Sequence, residues 1–174
     1  NLAAANGDVD WAPQYIPNIE KTFVSKDKEH RQYWFPATGA MINWQLNTTK
    51  APFNDVDVRK ALSMAVDREQ VTKIGMSGYA KPADCTGLSG NYETWKNAAV
   101  KDNCTWTNHD VEKANELLDK AGYPKGADGK RTMKDGKPFE FEISVGATSC
   151  DWLSVANVIA QNLAEVGVTA KVES

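Results

Sequence analysis

No apolar run in this sequence approaches the roughly 18 residues that a bilayer-crossing helix needs, so no membrane span is expected. Charge of one sign is missing as well. Twenty Lys and Arg stand interspersed with 23 Asp and Glu, for a net charge of −3. That pattern offers no basic face to a polyanion, and nucleic acid is not an expected partner. Histidine is scarce: only His30 and His109 occur, far apart, and there is no Cys-x-x-Cys, so no metal site is expected. Gly-x-Ser-x-Gly, a phosphate-cradling glycine loop and His-Glu-x-x-His are all absent, and no cofactor is implied. The one nucleophilic arrangement left is Cys150 or Ser149 meeting His109 in the fold, which keeps a hydrolase or transferase as the rival class.

What is present is enough chain for one domain. A chain of 174 residues buries roughly 70% of its extended surface on folding. It opens on "NLAAANGDVDW", which reads as the last turns of a helix, a stop at Gly7 and the start of a strand. An N-terminus inside an element suggests a piece of a longer protein. "VDWAP" (9–13) predicts a short buried strand, "IPNIEKTFV" (16–24) one helix, and "YWFPATGAMINWQLN" (33–47) two strand-like stretches.

In "APFNDVDVRKALSMAVDREQVTKIG", Asn54 or Asp55 can cap a helix whose Val58, Ala61, Leu62, Ala65 and Val66 form one stripe. Asp67 begins a second helix with Val71 and Ile74 inward and Gly75 as its stop. Residues 76–108 show little periodicity, and a long irregular stretch in a compact domain is usually functional or stapled. Cys85 and Cys104 sit there, in loop-rich sequence. A disulfide between them would contribute about 3 kcal/mol and leave Cys150 free; unrelated thiols are the alternative.

"NHDVEKANELLDKAGY" predicts a capped amphipathic helix, and Asp135-Gly136 a hairpin turn. Strand, helix and strand follow at 139–145, 151–166 and 168–172. The chain is therefore expected to be α/β, with a mixed, partly parallel sheet flanked by helices.

Six tryptophans are more than such a chain usually carries. Each can be a core filler; several near loops instead suggest a cleft offering flat apolar faces to a ligand with polar edges. The junction "GATSCDWL" (146–153) sharpens this. Thr148 or Ser149 can cap the following helix, and Asp151 complements its dipole. The junction also lies at the carboxyl end of a strand, where open α/β sheets bind ligands.

The segment "LNTTKAPFNDVDVRKALSMAVDREQV" (46–71) resembles the signature of the solute-binding proteins of ABC importers, in the oligopeptide/dipeptide-binding family. "GDVDWAP", "GYAKPAD", "TGLS", "DVEKANELLDKAGY" and "VIAQNLAEVGVTAKV" occur in that family's order, so the likeness runs along nearly the whole chain. It implies a lobe of type II periplasmic-binding-protein architecture, residues 1–174, from a larger two-lobed protein. It also implies a non-enzymatic, extracytoplasmic role, in the periplasm or as a membrane-anchored lipoprotein. There the protein would close on a ligand with its other lobe and deliver it to an ABC permease. "PATGAMINW" corresponds to a cleft-lining strand in relatives, bringing in Thr38, Met41 and Trp34. "TSCDW" corresponds to a second cleft-facing turn, bringing in Ser149, Asp151 and Trp152. Oligopeptides or dipeptides are the expected ligands, with cello-oligosaccharide-like sugars as the alternative.

Overall fold

Three successive alanines favour a helix, and α1 covers Leu2–Asn6 in a computed structural model that describes residues 2–12, 16, 18–34, 41–147 and 149–174. The chain divides into two units, Asn1–Pro36 and Ala37–Ser174.

In the first unit α1 stops at Gly7, whose φ of +83° admits no ordinary side chain cheaply. The Asp8 N–H returns to the Ala3 carbonyl at 2.9 Å. Lys26 and Arg31 both donate to the Ala5 carbonyl, placing cations at the negative end of the helix. The expected single helix over 16–24 is instead α2 (Ile19–Thr22) followed by a 3₁₀ turn, Val24–Lys26. The expected strand over 9–13 does not form among the described residues. Val9 and Trp11 are exposed, because this unit's buried apolar residues, Ala4, Ile16 and Ile19, offer them no sheet to join.

The second unit holds the main core. Of the strand-like stretches expected over 33–47, residues 35–40 lie outside the described residues, and residues 41–46 form no strand among the described ones. Side chains hold the latter instead: Trp44 stacks on Phe141 with centroids 5.8 Å apart, while Phe53 meets the same ring edge-on at 5.1 Å.

Helix α3 spans Val56–Ala65, and the Asp55 carboxylate caps it by accepting from the Asp57 N–H at 2.8 Å. Its stripe of Val58, Ala61, Leu62 and Ala65 is fully buried, each large aliphatic side chain contributing roughly 1.5–3 kcal/mol. Asp67 caps α4 (Arg68–Gln70) through the Gln70 N–H, and the chain then winds into a π-helical turn, Val71–Gly75. The wider turn adds a residue per revolution. Ile74 therefore swings outward, 58% exposed, and Gly75 takes the inward place the spacing predicts for Ile74.

Residues 76–108 are less structureless than expected. They contain a 3₁₀ stretch (Gly90–Trp95), α5 (Ala98–Asp102) and a 3₁₀ turn (Thr105–Thr107). Cys85 and Cys104 are bonded across them, with Cα atoms 6.1 Å apart. Helix α6 (Val111–Lys120), capped by Asp110, buries Ala114 and Leu118 against α3.

A tight turn at Asp135-Gly136 leads into β1 (Glu140–Ser144). Helix α7 (Cys150–Glu165) crosses over to β2 (Thr169–Glu173), which pairs parallel with β1 from Glu140↔Thr169 to Ser144↔Glu173. Val155, Ala156, Ile159 and Leu163 of α7 complete the core with Phe139 and Ile143. Among the described residues no helix is long and apolar enough to cross a membrane.

Candidate functional site

Both strands finish together at their carboxyl ends, because the Val145 N–H donates to the Glu173 carbonyl at 2.8 Å just past the last paired residues. The chain turns through Gly146, and the Ser149 N–H returns to the Gly146 carbonyl at 2.9 Å. Ser149 takes the capping position of α7, yet its hydroxyl makes no capping hydrogen bond, contrary to that half of the capping expectation. Its backbone ψ of 78° and the bond back to Gly146 set the turn; the other candidate cap, Thr148, lies outside the described residues.

Asp151 is half-buried in the first turn of α7, where the helix dipole favours a carboxylate. Trp152 begins an apolar stripe whose other members are buried, but is itself 47% exposed. A large ring left out at the head of a buried stripe, beside a carboxylate, can stack on a flat solute while the carboxylate meets its polar edge.

Of the other expected site residues, Met41 is half-buried. Trp34 is 81% exposed and belongs to the first unit, and Thr38 lies outside the described residues. The structure thus brings Ser149, Asp151 and Trp152 together in one turn. Of the six tryptophans only Trp44 is turned into the core; Trp11, Trp34, Trp95, Trp106 and Trp152 remain exposed.

The disulfide-bridged stretch forms part of the wall of a shallow cavity of about 350 Å³ that sequence reasoning missed. It is lined by Asp67, Arg68, Asp84, Thr107 and His109 among others. Its signals were scattered over three segments, and nothing in their spacing joins them. The Thr86 hydroxyl, and then the Lys96 ammonium at 2.9 Å, hold the Asp84 carboxyl well down, at about 2. Burial lowers the Arg68 pKa, and that guanidinium serves the backbone, donating to the Ser63 and Thr107 carbonyls at 3.0 Å. His109 Nδ1 lies 3.9 Å from Asp67 Oδ2, and Ser149 is not among the residues lining the cavity that holds it. No group of three or more His, Cys, Asp or Glu among the described residues is placed to hold a metal ion.

Three comparisons bear on this arrangement. The family model for the middle of the bacterial extracellular solute-binding proteins, family 5, matches residues 1–174. The nickel-binding periplasmic protein of Escherichia coli (strain K12) is 31% identical over 145 residues, 83% of this chain and 26% of its own. A glutathione-binding protein of the same strain is 30% identical over 164 residues, 90% of this chain and 27% of its own. A periplasmic oligopeptide-binding protein of an oligopeptide ABC transporter from Thermotoga maritima, solved with mannohexaose bound, superposes with a TM-score of 0.81. It is 25% identical, over 98% of this chain and 32% of that one. The fold is that of the type II periplasmic-binding proteins, mixed helix around a small parallel sheet. The chain spans about a quarter to a third of the length of these relatives.

Proposed function

Because the chain belongs to the bacterial extracellular solute-binding proteins of family 5, we propose that it forms one lobe of the binding component of an ABC importer. In this reading it is a binding module and not an enzyme. It works outside the cytoplasm, in the periplasm or as a surface lipoprotein, and hands its ligand to the permease. The observation that carries the reading is Trp152, half-exposed beside Asp151 at the carboxyl edge of the parallel strands. With Ser149 they form a wall, and Met41, in the same unit, is proposed as a further ligand contact. A second lobe closes over the solute as a hinge motion, and the closed form is what the permease recognises.

The ligand we propose is a short peptide or peptide-like solute. A glutathione-binding relative supports this, and so does the geometry: ring faces suit variable side chains, while the Asp151 carboxylate and Ser149 hydroxyl suit peptide polar groups. The oligosaccharide alternative is favoured by the five exposed indole rings and by mannohexaose in the superposable structure.

The test is thermal shift of the full-length protein with glutathione, penta-alanine and mannohexaose. A specific binder stabilises the folded form by mass action, and the probe that raises Tm identifies the class. Trp152→Ala should weaken binding of that probe by about tenfold or more, as a buried stacking contact of ~1.4 kcal/mol implies, with little change in Tm without ligand. Unchanged affinity with a large fall in Tm would make Trp152 a core residue and end the reading.

A further inference from the structure

Helix α7 is pinned to the segment formed by α4 and its π-helical turn at two levels. At one, Gly75 lies so close to α7 that a Cβ there would stand 2.9 Å from Val155 Cγ2, 3.0 Å from its Cα and 3.2 Å from its N. Two of those atoms are backbone and cannot rotate aside. Gly75 is not in the left-handed region, so the glycine is required for space and not for its dihedral freedom. The π turn is what delivers it, since an ordinary α turn would bring Ile74 to the inward position.

At the other level Asn162, which is 3% exposed, accepts from the Asp67 N–H at 3.1 Å and donates to Gln70 Oε1 at 2.6 Å. Both polar ends of a buried amide are thereby spent on α4. Val155 and Asn162 are seven residues apart and share one stripe of α7. Trp152 lies one turn before Val155 on the adjoining row, just beyond the Gly75 contact.

We infer that Gly75 and Asn162 are positioning residues for the solute-facing turn: together they fix the height and rotation of α7, and so the place of the Trp152 ring. A displacement at either level is carried along a stiff helix to its first turn. Asn162 sets rotation through two directional hydrogen bonds; Gly75 sets the distance of closest approach. That the ring so placed contacts a solute rests on the function proposed above.

The experiment is ¹⁹F NMR of the full-length protein labelled with 5-fluorotryptophan, the Trp152 resonance being the one lost in Trp152→Phe. Gly75→Ala and Asn162→Ala should each displace that resonance by more than its linewidth and leave the Trp44 resonance in place. Asn162→Asp, which keeps the acceptor for the Asp67 N–H, should displace it less than Asn162→Ala. Leu118→Ala, a core truncation in α6, supplies the control for simple loss of stability and should not move it. A Trp152 resonance unmoved in the folded Asn162→Ala variant, or moved no more than in Leu118→Ala, overturns the inference. Asn162 decides alone if Gly75→Ala does not fold. Affinity for glutathione, penta-alanine or mannohexaose, measured on the same variants, separates the two claims. If Trp152→Ala leaves it unchanged the functional reading fails, whereas the positioning claim is judged by the resonance.

Discussion

Arg131 donates through Nε to the carbonyl of Val166 at 2.7 Å, from a side chain that is almost completely buried. The same guanidinium reaches the Tyr123 and Asn115 carbonyls and the Asp119 carboxylate, tying the end of α6 to the end of α7. Arg131→Met would keep the aliphatic volume but orphan buried carbonyls, each costing about 1–3 kcal/mol. A loss of about 3 kcal/mol or more is expected from urea unfolding. Asp119, 57% exposed, keeps its hydration, so Asp119→Asn should cost less than about 1 kcal/mol. Equal losses would mean that the ion pair, not the carbonyl network, is the stabilising element.

Thiol counting checks the Cys85–Cys104 bond. Denatured, unreduced protein should release one titratable thiol, that of Cys150, and three after reduction. Breaking the bond should lower stability by about 3 kcal/mol, as closing a loop of this size does in the unfolded chain.

Asp84 makes the stapled stretch sensitive to acid. Its folded pKa lies below the ordinary 3.8, at about 2, so its contribution is fully present above the ordinary value. That contribution is lost as pH falls through about 2. Carboxyl NMR titration should find this, and Thr86→Val should raise the Asp84 pKa more than Lys96→Met does, since the hydroxyl hydrogen bond is the larger cause. The reverse order would place the main interaction on Lys96.

Gly167 joins α7 to β2 at a φ of +81°, and a Cβ there would meet the Gly129 carbonyl oxygen at 2.6 Å. Strain and collision act together, so Gly167→Ala should cost about 2 kcal/mol or more, read as a fall in the urea midpoint. A neutral substitution would show that the 126–131 turn yields without cost.

Legibility in the sequence followed the reach of the interactions. The α3 stripe, one of its two candidate caps (Asp55), the capped amphipathic α6 and the strand–helix–strand unit at the end rest on contacts within one element or between neighbours in sequence. Periodicity records such contacts directly. The π turn was not legible, because one added residue leaves composition untouched while moving Ile74 outward and Gly75 inward. The strand readings over 9–13 and 33–47 misled, among the described residues, for a different reason: apolar and aromatic content records which side chains prefer burial, and says nothing of whether a neighbouring backbone is there to pair. The turn at Ser149, Asp151 and Trp152 was legible as a place, from strand end and helix start. The hydroxyl's failure to cap was not, since it depends on backbone angles set by Gly146.

The two strands are five residues long, and the charges of Glu140, Glu142, Lys171 and Glu173 share one face of the sheet, with Lys171 and Glu140 linked across it at 3.1 Å. Short, charged strands are poor templates for cross-β growth, because each arriving copy must desolvate like charges while gaining few main-chain bonds. The polypeptide should therefore stay dispersed at the concentrations that spectroscopy requires. Replacing Glu140, Glu142 and Lys171 with valine should turn the same ribbon into a seed for fibrils.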